Sequence, residues 1–173
     1  MKLAVLLLAT AALLCGSAFA DEPDNSLDDK AEAMDHTMIF GLGGAAELEL
    51  GDGSVRPGGN AMVEWDIIEN WLELEVGASV LTADKGVQVP VDFLVKKPFR
   101  LARGVEFMIG IGPEVVHVTG TNKGTFFGGE VALDFMFWPS QRIGLWVEPT
   151  YDFIWHGGVS HGLGSTGGVL FGW

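Results

Sequence analysis

From residue 38 onward, apolar and polar side chains alternate with a period of two, in one segment after another. Leu72, Leu74, Val76, Ala78 and Val80 fall on one parity, with Trp71, Glu73, Glu75, Gly77 and Ser79 on the other. Val87, Val89, Val91, Phe93 and Val95 alternate with Gln88, Pro90, Asp92, Leu94 and Lys96. Phe127, Val131, Leu133, Phe135 and Phe137 alternate with Gly128, Glu130, Ala132, Asp134 and Met136. Ile143, Leu145, Val147, Tyr151 and Phe153 do the same against Arg142, Trp146, Glu148, Thr150 and Asp152. Successive side chains of a strand point to opposite faces of a sheet, so each segment carries one apolar face and one acidic or glycine-rich face. The pattern predicts strands near 38–50, 60–69, 71–82, 86–96, 104–118, 124–138, 142–154 and 163–173. Roughly ten residues is what a tilted strand needs to cross a bilayer, and an even count closes an antiparallel barrel with both termini at one end.

The polar parity decides which way such a barrel faces. It carries more carboxylates and glycines than solvent decoration requires, which predicts an inverted arrangement with the apolar face outward in lipid. Glu73, Glu75, Asp92, Glu130, Asp134, Glu148 and Asp152 are then lumen carboxylates, with Lys96 and Arg142 among the few strand-borne bases. Eight strands enclose a bore that side chains just fill. Carboxylates crowded there must pair with bases, share protons or hold cations. A hydrogen-bonded plug is the expectation, and a narrow cation-conducting lumen is the alternative.

Two features strain the pattern. Pro90, Pro113 and Pro149 fall inside predicted strands, where proline cannot donate to a ladder, so bulges are expected at them. Trp71 and Trp138 fall on the inward parity although they sit at strand ends, where aromatic rings favour a membrane interface. A bulge or a slipped strand end is expected near each.

The start of the chain reads differently. Lys2, the apolar run Leu3–Leu14 and Ala18-Phe19-Ala20 before Asp21 describe a signal peptide over residues 1–20, cleaved on export. Cys15, the single cysteine, leaves with it, so no disulfide or thiol chemistry is expected afterwards. Residues 21–37 hold seven acidic side chains, from Asp21 to Asp35, against Lys30, and predict a disordered acidic arm. Residues 38–173 are the barrel domain. The formal charge of −13 becomes one unit more negative once Lys2 is lost, which is the wrong sign for nucleic acid.

The chain resembles the small eight-stranded outer-membrane barrels of Gram-negative bacteria, the class of the outer membrane protein A transmembrane domain. The resemblance covers 38–173 and is carried by the strand pattern and by Gly168-Val169-Leu170-Phe171-Gly172-Trp173. In that class an alternating last strand ending in an aromatic residue is what the barrel-assembly machinery reads. The resemblance therefore implies that Phe171 and Trp173 form the assembly signal, with Trp173 in place of the usual Phe. It further implies an all-β, up-and-down transmembrane barrel in the bacterial outer membrane, with lipid and lipopolysaccharide around it. No activity comes with the resemblance; the role expected is structural, in envelope integrity or in surface interaction with lipopolysaccharide or a neighbouring protein that the residues do not specify. No cofactor is implied.

Other chemistries compete. His117, His156 and His161 all fall near the predicted outer rim and are candidate metal ligands, without a fixed ligand spacing. Ser160-His161, with Glu148 or Asp152 nearby, admits a lipid A-modifying hydrolase of the kind found among similar barrels. Adjacent residues on a strand point apart, however, and no nucleophile elbow is present. A non-enzymatic chain is expected. The remaining rival is a soluble, lipocalin-like barrel holding a small apolar ligand, which needs the apolar parity inside.

Overall fold

The computed structural model describes residues 36–83, 86–120, 123–155 and 157–173. The expected signal peptide and all of the expected acidic arm except His36 and Thr37 lie outside the described residues. Eight strands follow one another: β1 (Met38–Glu49), β2 (Val55–Ile68), β3 (Leu72–Ala83), β4 (Gly86–Ala102), β5 (Val105–Val118), β6 (Gly124–Phe137), β7 (Ile143–Trp155) and β8 (Val159–Gly172). Each pairs antiparallel with its neighbour in sequence, and β1 pairs with β8, closing the barrel. Closure leaves no unpaired sheet edge.

Three strands are longer than their sequence suggests. β2 begins at Val55, not 60, β4 runs on to Ala102, past 96, and β8 begins at Val159, not 163. Proline and glycine clusters read as loops because they punctuate isolated elements. In the barrel, Pro57, Gly58 and Gly59 are held in register opposite Ala46, Ala45 and Gly44. Lys97, Pro98 and Phe99 likewise pair with Ile109, Met108 and Phe107. The segment 97–103 is therefore mostly strand, and Arg103-Gly104 alone makes the turn. Gly104 adopts a left-handed φ of 70°, which a side chain would disfavour.

The prolines are accommodated without the expected bulges. Beside Pro90 the β3–β4 ladder lapses between Ala78↔Val91 and Leu81↔Gln88, then resumes in the same register. Beside Pro113 the β4–β5 ladder lapses between Asp92↔Glu114 and Val95↔Ile111. Beside Pro149 the β6–β7 ladder lapses between Ala132↔Thr150 and Phe135↔Val147. A residue in an antiparallel sheet sends its N–H to one neighbour only. Each proline thus weakens one ladder and stays paired on its other side, with Val116, Gly129 and Ser165 respectively.

True register shifts occur near two hairpin turns at the terminal end, at Asp66/Ile68 and Arg100/Ala102. The first lies beside Trp71, which is 56% exposed and so escapes its inward parity. Trp138 does not escape. It is 3% exposed and packs inside, so no slip occurs at that end. Strict alternation persists to the end of β6, and the ring closes the bore rather than meeting an interface.

Outside, the barrel is apolar: Val76, Val95, Ile111, Leu133, Phe135, Val147 and Val169 are all exposed. Trp65, Trp71, Phe137 and Trp173 ring the terminal end, where β1 begins and β8 ends, while Phe127, Tyr151 and Trp155 ring the opposite, loop end. At that opposite end the turns are short. In Leu50–Ser54, the hydroxyl and the backbone N–H of Ser54 both donate to Asp52, and they hold its carboxyl below the usual range.

Candidate functional site

The barrel interior is where chemistry collects, and the strands order it in tiers. Going from the loop end to the terminal end, β4 presents Gln88, Asp92 and Lys96 inward, and β6 presents Glu130, Asp134 and Met136. β5 and β7 run the other way and carry Met108 then Glu114, and Trp146, Glu148 then Asp152. β6 and β7 thus place carboxylates above and apolar bulk below, whereas β2 and β3 carry Glu64, Asp66, Glu73 and Glu75 toward the terminal end.

At the rim, Arg56 reaches across from β2 to β1. Its guanidinium donates to Glu47 Oε1 at 2.8 Å and to Glu49 Oε2 at 3.4 Å, while Gln88 Nε2 donates to Glu47 Oε2 at 3.0 Å. Below the rim, Glu114, Glu130 and Asp152 sit on three adjacent strands around a cavity of 40 Å³. Glu130 and Asp152 are direct cross-strand partners.

The next tier is built on one lysine. Lys96 is wholly buried, and its Nζ donates to Glu75 and Glu148 at 2.6 Å each and to Asp134 at 2.9 Å. Glu64 lies at 3.4 Å, in ion-pair range without a hydrogen bond. A single ammonium therefore faces four carboxylates. Removing ions from water costs several kcal/mol each, roughly, unless partners compensate, and here the compensation converges on one atom.

Below it the bore is greasy. Ile39, Met62, Met108, Met136, Trp138, Trp146 and Leu170 pack together. Methionine fills irregular gaps, which suits a narrow, tilted bore. This tier and the Lys96 tier obstruct the route a pore would need. At the end where β1 begins and β8 ends, Glu73 lines a separate cavity of 20 Å³ with Asp66, Arg100 and Glu106.

The residues singled out from sequence thus lie at three places. Glu75, Asp134 and Glu148 meet at Lys96, while Asp92, Glu130 and Asp152 line the upper cavity. Glu73 joins neither group. Asp92 accepts a bond from the Gly77 N–H at 3.1 Å. Phe171 faces outward on β8, and Trp173 is exposed just beyond it. Sequence reading missed Arg56, because it stood in an expected loop. The signal was available, since Arg56 shares parity with Asn60 and Glu64.

Of the candidate histidines, His117 on β5 and His161 on β8 each have a local partner. His117 Nδ1 bonds Thr125 Oγ1 at 3.0 Å on one side, and His161 Nδ1 bonds Tyr151 Oη at 2.8 Å on β8; His156 lies outside the described residues. Among the described residues, the groups close enough to ligate one ion consist of carboxylates alone. Ser160 is partly buried while His161 is exposed, as adjacent strand positions require, so the pair forms no nucleophile–base couple. Among the described residues the loop-side half of this interior is lined by Glu47, Asp92, Glu114, Glu130 and Asp152, a charged lining and not an apolar ligand cup.

No family model and no curated protein sequence matches the chain. Solved structures do match in shape. Neisserial surface protein A superposes with a TM-score of 0.60 at 13% identity, covering 79% of this chain and 97% of that one. The N-terminal β-barrel domain of OprF from Pseudomonas aeruginosa gives 0.55 at 10% identity, covering 79% and 98%. Ail, the attachment invasion locus protein of Yersinia pestis, in complex with the heparin analogue sucrose octasulfate, gives 0.52 at 12%, covering 79% and 97%. At these identities the likeness is one of fold.

Proposed function

We propose that this chain is an integral protein of the bacterial outer membrane, non-enzymatic, with a role in envelope integrity or in contacts at the cell surface. The observation that carries this reading is the inverted polarity. Apolar side chains cover the outside of the strands, while Lys96, Glu64, Glu75 and Asp134 are buried within. In water, each exposed Leu, Val or Phe forgoes roughly 1.5–3 kcal/mol of burial, and a continuous band of them would aggregate. In lipid the same band is the stable arrangement.

The rings at the two ends suit the two interfaces, and lipid with lipopolysaccharide is the surrounding partner. Phe171 and Trp173, at the end of the closing strand, are proposed as the residues the barrel-assembly machinery reads. A surface role is favoured by two shape neighbours, one named a surface protein and one an attachment invasion locus protein. The short outer turns leave little room for a large recognition surface, so any partner would meet the strand ends and rim side chains such as Arg56 and Trp155.

The test is extraction and mobility. Outer membranes from expressing cells should retain the chain through high-salt washes and release it only in detergent. The detergent-extracted chain should migrate differently on gels with and without boiling. Release by salt, with no mobility shift, would sink the proposal.

A further inference from the structure

We infer that the upper cavity is a binding site for one divalent cation of Ca²⁺ character, held by Glu114, Glu130 and Asp152. One carboxylate oxygen from each residue lies within 4.8 Å of the other two. Oxygens on opposite sides of a Ca²⁺ ion are roughly 5 Å apart, twice the usual bond length. The three residues come from β5, β6 and β7, so neighbouring strands aim them at one point, and Glu130 and Asp152 are direct cross-strand partners. Like charges placed directly opposite destabilise a sheet.

Acidic crowding alone would be weak ground, and two further observations point to a ligand. Asn60, 9% exposed, lines the same cavity; its amide donates to Ser79 Oγ at 3.0 Å, yet its carbonyl Oδ1 is buried with no hydrogen-bond partner. Oε2 of Glu114, itself 4% exposed, is likewise buried and unpartnered. Buried polar atoms are seldom left so, since each carries its desolvation cost. Both unsatisfied atoms are hard oxygen donors, the kind Ca²⁺ takes six to eight of, waters included. The cavity of 40 Å³ has room for the ion and ordered water, because a single water needs about 10–15 Å³ by this measure.

The tier below shows what the upper one lacks. Glu64, Glu75 and Asp134 form the other close carboxylate group, and there Lys96 supplies the positive charge from within the chain. Among the described residues no base forms an ion pair with Glu114, Glu130 or Asp152: Arg56 is engaged by Glu47 and Glu49, and Lys96 by the lower group. The lower group carries its own cation, and the upper group takes one from solution.

The assignment does not depend on where the barrel resides, and it is tested on the full exported chain folded in non-ionic detergent, free of lipopolysaccharide. After chelator treatment, calcium chloride should bind with a stoichiometry of one per chain by calorimetry and raise the thermal midpoint. Glu114→Gln and Glu130→Gln should each weaken Ca²⁺ binding by roughly tenfold or more. In the chelated state both variants should be at least as stable as the parent, because each removes a like charge. A merely structural role for these carboxylates would lower that stability instead. Glu106→Gln, at the terminal end, should leave Ca²⁺ binding intact, and the gel shift on boiling reports that each variant is folded. A folded parent that binds no Ca²⁺, or binding that survives both cavity variants, would overturn the site and leave the membrane reading untouched.

Discussion

Lys96 shows how much one buried side chain can hold. It anchors carboxylates 21, 38 and 52 positions away in sequence, on β3, β6 and β7. Lys96→Met keeps the volume and removes the charge, leaving four carboxylates with no base among them. Breaking a buried pair from one side costs about 3–5 kcal/mol, and a loss of that order is expected in urea unfolding of the detergent-folded barrel. Adding Glu75→Gln and Glu148→Gln to Lys96→Met should recover part of it, since neutral partners no longer need the ammonium. Additive losses in the triple variant would contradict the account. The inward direction of Lys96 was legible from parity with Asp92 and Leu94. Its convergence on four carboxylates was not, because that depends on strand tilt across the bore, which local alternation does not encode.

At the scale of the elements, the closing seam between β1 and β8 has little room for added bulk. Gly43 pairs with Gly168 and Gly44 with Gly167, so two glycine pairs face each other along the ladder. A Cβ on Gly168 would overlap the Leu42 carbonyl. Gly168→Val should therefore impair closure, seen as loss of the unboiled, faster or slower gel form after refolding. Gly158→Ala is the control, for nothing lies within 4 Å of its added Cβ. Equal refolding yields for the two variants would refute the steric argument. The middle strands could be read from alternation, while β1, rich in glycine, and β8, with its signal mainly in Val169, Phe171 and Trp173, were less decisive. The strand ends could not be read, because Pro57-Gly58-Gly59 and Lys97-Pro98 look like loop until a neighbour on each side holds them in register. Trp138 shows the converse: strict parity predicted its inward face, and the habit of placing tryptophan at interfaces argued wrongly against it.

At the scale of the whole molecule, what separates a lipid-embedded barrel from a soluble one is the medium against its outer wall. Ile111 lies midway along β5 and is 63% exposed, whereas Val159 begins β8 at the loop end and is 52% exposed. By exposure the two are near-equivalent surface positions. In water a lysine at either would change stability by roughly 0.5 kcal/mol or less, as surface substitutions usually do. In a bilayer depth matters: lysine at the midplane costs about 2–4 kcal/mol, falling to about 0–1 near the interface. Ile111→Lys should therefore destabilise the barrel folded into lipid vesicles by about 2–4 kcal/mol in reversible denaturant unfolding, and Val159→Lys by much less. The same pair compared in detergent, where the hydrocarbon layer is thinner and yields to the charge, should show a smaller gap. A gap of nothing in vesicles would mean that the apolar wall meets no hydrocarbon, and that its exposed Val, Leu and Phe side chains are covered by protein instead.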